Sequence, residues 1–446
     1  MVIEPFETPR DNAMVVYIDG LVDKSFIHRD VMQPLKSKEF DGDVSMALKA
    51  TFKECTDIPD VTQEVLRGNV ACFYGKSEIA RILEFRKFEM RSVEEPNAEA
   101  VIRGPKEGFT ESIRTNTSLI RRKIKTPDLK AENYTFGRQS NTTVILMYID
   151  GIANQDVLRE IKRRLSAIDV GIILETGQIE QYIDENTFSP ISGIGLTQKP
   201  DVAAQRITEG RVVILCDGTP HALTIPELFI ENLHTADDYY NRPLYASMMR
   251  ILRCIGLLFT VMLPGLSVAI ITYHQEMIPS AFLTNIIRTT QKTPMPAAIE
   301  VLVLTIMFEL LREAGTRLPK AVGSAITIVG SLIIGDAAVN AGIVSAPIVI
   351  IVALTAVTGF MVPSLAEYTL VYRSLFWLFG STMGLIGIGS AMVIMLTQLA
   401  STDSFGIPIL ASFSSPGRKD GVIRFPLWSI KYRSAAIVKE NVRKKQ

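Results

Sequence analysis

The hydrophobic pattern changes character once along this chain. Up to about Arg253, apolar residues come in short runs between charged and polar stretches; beyond it, long stretches carry no charge at all. In the first part, residues 14–18 (MVVYI) and 144–149 (VILMYI) are short, β-branched and aromatic, which is strand composition. Each run leads into Asp-Gly, at Asp19-Gly20 and Asp150-Gly151. That dipeptide ends a strand, because Gly tolerates positive φ and Asp bonds the local backbone. A helical stripe follows in both places. Val157, Leu158, Ile161, Leu165 and Ile168 recur at helical spacing with Arg159, Lys162 and Arg163 opposite them; Ile27, Val31 and Leu35 repeat the stripe earlier. Further strands are predicted at 69–74 and 211–216.

The word Tyr-Ile-Asp-Gly occurs at 17–20 and again at 148–151, and LRGNVACFYGKS (66–77) is echoed by TEGRVVILCDGT (208–219). Two ordered echoes predict an internal duplication: two related α/β lobes, with a cleft between them where a small ligand fits. An aspartate at the end of an α/β strand is also where a phosphoryl-accepting nucleophile sits. That chemistry wants a second acid two positions on, and Leu21 and Ile152 stand there instead. Turn chemistry is the expectation for Asp19 and Asp150. Between the copies, Arg121, Arg122, Lys123 and Lys125 form a basic cluster, either a solvated helix face or a contact for an anionic leaflet.

The second part predicts an all-α polytopic membrane domain. Residues 254–273 are uncharged and long enough to cross a hydrocarbon core of roughly 30 Å. Pro264 and Gly265 inside this run are expected to kink or break the helix. Uncharged residues 337–366 and 375–399 and a shorter run at 321–335 follow, giving four crossings near 254–273, 321–336, 343–363 and 375–399. Arg242, Arg250 and Arg253 precede the first crossing. Arg418, Lys419, Arg424, Lys431, Arg433 and Lys439 follow the last, so both ends are expected in the cytoplasm. Residues 297–311 are apolar but carry Glu300 and Glu309, with Glu313 just beyond, and the first two are expected on one side of a helix. A carboxylate in a membrane is costly unless it faces water or a partner. This is either an amphipathic or re-entrant helix lining a cation path, or a helix lying in the interface with its acids in water. Asp336 and Asn340 pose the same choice. Gly380 with Gly384, and Ala338 with Gly342, have the spacing of close helix contacts.

The expected division is a first α/β lobe at 1–100, a connecting helical and polar segment at 101–140, a second α/β lobe at 141–243, the membrane domain at 244–403 and a basic cytoplasmic tail at 404–446. Lysine plus arginine equals aspartate plus glutamate at 47 each, so there is no bulk electrostatic case for nucleic acid. Cys55, Cys72, Cys216 and Cys254 form no C-x-x-C pair and suit core or membrane thiols, not a disulfide framework or zinc site. His28, His221, His234 and His274 show no metal spacing and no nucleophile partner, and no glycine-rich phosphate loop is present. No enzyme, cofactor or metal is expected. The opening MVIEPFETPRDN has neither the basic nor the apolar region of a signal peptide, so the first domain is expected to stay in the cytoplasm.

HQEMIP (274–279), FELLREAGTRLP (308–319), IVGSLIIGDAAVNAGIVS (328–345) and SFGIPI (404–409) resemble signature segments of the GerA-type spore germinant receptor A subunit. So do YIDGLVD, EPNAEAVIRGPKEGFTESIRTN, LIRRKI and DDYYNRP (237–243) in the first half. The likeness runs in order over nearly the whole chain. The chain departs from the family pattern at Asp336, commonly Gln, at Asn340, commonly Glu, and at TQKPD (197–201), where Thr-Glu-Arg-Pro-Asp is usual. The resemblance implies a nutrient germinant receptor in the spore inner membrane, coupling nutrient sensing to cation release. It further implies a transporter-like B subunit and a lipid-anchored C subunit as partners, and an oligomeric, channel-forming or signal-transducing role for this subunit. Glu300, Glu309, Glu313, Asp336 and Asn340 are the candidate pore or coupling residues, and Pro264 and Gly265 the candidate helix-break residues. The alternative class is a secondary transporter for a small nutrient, with broken helices around a midplane site.

Overall fold

The computed structural model describes residues 1–37, 40, 44–48, 52–66, 68–75, 77–84, 99, 101–317, 335–413, 420–434 and 436–438. The first sheet contains β1 (Val2–Glu7), β2 (Asn12–Tyr17), β3 (Phe52–Cys55), β4 (Val70–Tyr74) and β5 (Ala80–Leu83), in the spatial order β1-β2-β4-β5-β3. The second contains β6 (Leu129–Phe136), β7 (Thr142–Ile149), β8 (Gly195–Thr197), β9 (Val212–Cys216) and β10 (Ala222–Ile225), in the order β6-β7-β9-β10-β8. Position for position the two orders are the same. Helices separate some strands and others follow one another directly in sequence, and every described ladder in both sheets is antiparallel. β6 lies within the stretch expected as a connection, paired along its whole length with β7.

The apolar runs are continuous because both faces of each sheet are covered. Along β7, Val144, Leu146 and Tyr148 pack with Val157, Leu158, Ile161 and Leu165 of the Gln155–Ser166 helix. Ile145, Met147 and Ile149 point the other way, onto the Ile113–Lys123 and Pro200–Thr208 helices. β2 alternates similarly: Ala13, Val15 and Tyr17 meet Ile27, Val31 and Leu35, while Val16 and Ile18 meet Val61 and Val65. Two-residue periodicity decides which face each side chain serves, and burial on both sides removes the polar alternation of a half-exposed strand. Cys72 and Cys216 sit on β4 and β9, where burial pushes both thiols up to about 12.

Among the described residues of the second half, two helical stretches are long and apolar enough to cross a membrane: Pro243–Tyr273 and Pro363–Ser401. Of the kink or break expected at Pro264 and Gly265, the break does not occur: Pro243–Tyr273 runs through both as one helix. Gly265 instead makes the space for a neighbour. A methyl at Gly380 would stand 2.5 Å from the Gly265 carbonyl oxygen, and one at Gly265 would meet the backbone of Phe376 and Trp377. Missing side chains are what let these backbones touch.

The interruption falls at Gly384, whose φ of 62° and ψ of −139° are not helical. Tyr372 donates its hydroxyl hydrogen bond to Gln398 across that point. On a straight helix, residues this far apart in sequence would be about 39 Å apart. A methyl at Gly387 would strike the Phe379 carbonyl, and one at Gly380 would lie 3.0 Å from Ile388. The stretch 366–401 is therefore a helical hairpin, with arms 366–383 and 385–401 each about 26 Å long or a little less. The single crossing expected at 375–399 is replaced by this reversal. At its tip, Tyr273 donates to the carbonyls of Ser381 (2.8 Å) and Thr382 (3.3 Å), and Gly384 leaves no room beside Tyr273 and His274 for a side chain.

Further helices among the described residues include Ser280–Thr290, Ala297–Arg317 and Ala346–Gly359; the last has 14 residues, short for the crossing expected at 343–363. Most of the run expected to cross at 321–336 lies outside the described residues. The C-terminal segment is not a free basic tail over its described part. Phe405, Ile407, Ile437 and Val438 enter the core of the second sheet beside Val157 and Ile161. Arg433 donates to the Thr208 carbonyl at 2.9 Å.

Candidate coupling site

The glutamates expected to share a helix face do not. Nine residues advance a helix by about 900°, two full turns and a half. Glu300 and Glu309 therefore leave opposite sides of the Ala297–Arg317 helix. Glu300 is fully buried. It accepts from the backbone N–H and the hydroxyl of Ser345, both at 2.8 Å, and from the Thr293 hydroxyl at 2.5 Å. Ser345 is the N-cap of the Ala346–Gly359 helix, so a carboxyl group stands where that helix exposes unpaired N–H groups. Glu309 pairs with the buried Arg373 of the hairpin and, at 2.5 Å, with Arg312. Glu313 is exposed and pairs with Arg317. Asp336 and Asn340 are exposed. Arg373 was missed in the sequence; its signal was one charge inside an otherwise apolar stretch, just ahead of the run taken as a crossing.

A second polar cluster lies where the sheets meet the helices, and DDYYNRP builds half of it. Arg250 is completely buried on the first turns of Pro243–Tyr273. Its guanidinium donates to Asp238 (3.1 Å), Asp420 (2.9 Å) and the Gly421 carbonyl (2.8 Å). Arg253 donates to Asp238 (2.8 Å) and to the Leu233 carbonyl (2.9 Å). Arg424 donates to the carbonyls of Asn241 (2.7 Å) and Tyr239 (3.0 Å). The Tyr239 hydroxyl donates to Asp420 at 3.0 Å, and both Arg250 and Arg424 stack over its ring. Burial acts to raise the Asp238 carboxyl, but the bonds and charges of Arg253 and Arg250 outweigh it and hold it low. For Asp420 burial wins over Arg250, and its carboxyl is raised. Of the arginines expected as positive flanks of a membrane, Arg250 and Arg253 are thus internal ion-pair partners, and Arg424 is buried on backbone carbonyls. The sequence signal for this was two acidic positions, Asp238 and Asp420, at the two ends of the apolar half.

Two neighbouring contacts extend the cluster toward the sheets. Phe229, Ile230 and Leu233 pack against Leu257, Val261, Tyr368 and Phe376 of the apolar helices. Behind them, Arg206 and Arg211 bracket Glu227 and Glu231, and the carboxyl of Glu231 is held low because its arginine contacts outweigh the cost of burial. TQKPD joins the same edge: Lys199 is buried with its ammonium on the Pro105 carbonyl (2.6 Å), and Asp201 accepts from Tyr240 (2.6 Å). A separate cleft of about 410 Å³ lies between the turn after β2 and the Ile113–Lys123 helix. Asp19, Asp23 and Lys24 line one wall and Arg114, Ser118 and Arg122 the other. Asp19 pairs with Lys24 at 3.0 Å beside Gly20 at φ 86°, and Gly151 repeats the positive φ at 76°, which is turn chemistry at both copies.

The chain matches the family model described as Bacillus/Clostridium GerA spore germination protein over residues 1–436. It is 41% identical to spore germination protein KA of Bacillus subtilis (strain 168) over 440 residues, which is 96% of this chain and 81% of that protein. It is 36% identical to spore germination protein GerLA of Bacillus cereus, covering 94% of this chain and 88% of that one. A crystal structure of the N-terminal domain of the A subunit of the Bacillus megaterium spore germinant receptor GerK3 aligns with 51% of this chain and 88% of its own, at 33% identity and a TM-score of 0.40. With the family match spanning both halves and the junction between them, the chain belongs to the GerA family of spore germination proteins.

Proposed function

We propose that this chain is the A-type subunit of a nutrient germinant receptor, and that it passes a signal from its sheet domains to its apolar helices through the Arg250 cluster. Family membership carries the receptor role. The coupling role rests on one observation: DDYYNRP, the start of the first apolar helix and the C-terminal segment share a single buried ion-pair lattice. Two related lobes with a cleft of mixed charge suit a small zwitterionic nutrient. The polytopic domain begins with Pro243–Tyr273 and ends with the hairpin. The C-terminal segment packs on the second sheet, which requires an even number of crossings between them. That agrees with both ends on the cytoplasmic side of the spore inner membrane. B and C subunits complete the complex.

Ion release is the proposed output, through an oligomer of this subunit. Glu300 and Glu309 act as coupling residues because each holds two helices together; Asp336 and Asn340, being exposed, are the candidates for a lining. Spores lacking the gene and complemented with Arg250→Ala are expected to lose the nutrient response while retaining the protein in the membrane. A normal response would remove the coupling role. In liposomes, Glu309→Ala is expected to change the opening of the channel and Asp336→Asn its cation selectivity. Unchanged flux and selectivity in both would sink the channel assignment of these residues.

A further inference from the structure

The first turns of Pro243–Tyr273 are amphipathic in the inverse sense. Ala246, Ser247 and Arg250 are buried against protein, while Leu244, Met248, Ile251 and Leu252 are exposed. In water the charged face would be outward and the apolar one inward. The exposed apolar stripe continues through Ile255 and Leu258 into the part of the helix read as crossing the membrane. Beside it runs a segment that the receptor function does not use. In 423–432, Ile423, Phe425, Leu427, Trp428 and Tyr432 are all exposed, Trp428 at 72%. The level of this segment is set by Arg424, whose backbone N–H donates to the Ser247 hydroxyl at 3.0 Å. Ser247 lies seven residues before Cys254, about 10 Å along the axis from the start of the uncharged run. That is the depth of the headgroup region, where Trp and Tyr concentrate and where amphipathic segments seat their apolar side chains.

We infer that residues 423–432 and the outer stripe of 244–252 form one collar seated in the lipid headgroup region on the side of the sheet domains. The occupant is the bilayer interface. Continuity with the apolar helix argues for it, as does the exposed Lys431 in the same segment, which suits an anionic leaflet. The ion-pair cluster behind it then joins the sheets to a part of the chain held at fixed depth. This rests on the reading that Pro243–Tyr273 crosses the membrane.

The chain has two tryptophans, Trp377 and Trp428, which makes the test direct. In full-length protein reconstituted in liposomes, Trp377→Phe leaves Trp428 as the reporter and Trp428→Phe leaves Trp377. Trp428 emission is expected to shift to the blue on reconstitution, and to be quenched more by lipids brominated near the headgroup than by those brominated deep in the chains. Trp377, in the first hairpin arm, is expected to show the reverse depth preference. Trp428 quenched by aqueous iodide and by no lipid would overturn the inference. Trp428 shielded from both iodide and lipid would overturn it in favour of a protein partner or second copy. Loss of lipid quenching at Trp377 as well would mean that the membrane reading itself had failed.

Discussion

Replacing Arg250 by alanine removes the centre of the junction, and the consequences differ for its two acids. Arg250 is 1% exposed at its side chain, Asp238 3% and Asp420 23%. Asp238 keeps Arg253. Asp420 keeps only the Tyr239 hydroxyl among the side-chain bonds described for it. Breaking a buried pair from one side leaves an uncompensated charge, which costs about 3–5 kcal/mol. The loss should depend on pH. Burial already raises the Asp420 carboxyl above its unfolded value, and Arg250 holds the rise in check. A carboxyl raised in the fold opposes folding once it ionises, so stability falls as pH climbs from the unfolded pKa through the folded one. Without Arg250 that fall is larger, and the variant should be closer to wild type at about pH 5 than at about pH 8. Hydrogen exchange over 234–250 and 420–424 in the detergent-solubilised chain reads the local opening, and thermal unfolding reads the whole. Adding Asp420→Asn to Arg250→Ala should restore part of the loss. A single variant within about 0.5 kcal/mol of wild type, the range of an exposed pair, would refute the reasoning. So would a double variant that recovers nothing.

Three further outcomes follow from the packing. Gly265→Ala and Gly380→Ala should each destabilise the helix pair by about 1–3 kcal/mol, the range of overpacking against atoms that cannot move away. Gly389→Ala, with open space around it, should be neutral or stabilising; equal melting of all three variants would disprove the close contact. Gly384→Val should disrupt the hairpin, because its φ of 62° disfavours a branched side chain and Tyr273 and His274 leave no room. Cross-linking by a bifunctional maleimide between cysteines placed at 372 and 398, whose native side chains meet tip to tip, should then fail, and cross-linking at wild-type yield would contradict it. Truncation after residue 434 removes Ile437 and Val438 from the second core. At about 1.5–3 kcal/mol for each buried side chain it should speed proteolysis of residues 129–225, and an unchanged digestion rate would count against that docking.

Local pattern was enough wherever the partner of a side chain is its own neighbour in sequence. The runs at 14–18 and 144–149 are strands because β-branched and aromatic residues suit a pleated surface, and Asp-Gly ends both because its backbone demands are local. The stripe Val157, Leu158, Ile161 and Leu165 is a helix face whatever lies opposite. The uncharged runs and the family motifs were equally legible. Tertiary structure alone decided the matters that depend on a distant partner. Gly265 of the Pro264-containing helix packs on Gly380, while Gly384 turns a long run back on itself. Glu300 caps a helix start because Ser345 is brought to it, and Glu309 holds Arg373 across two helices. Arg250 and Arg424 look like flanking charges until Asp238 and Asp420 meet in one place. A sequence states the charge of each group, but its chemistry depends on how far it lies from water and from its opposite, and only the fold determines those distances.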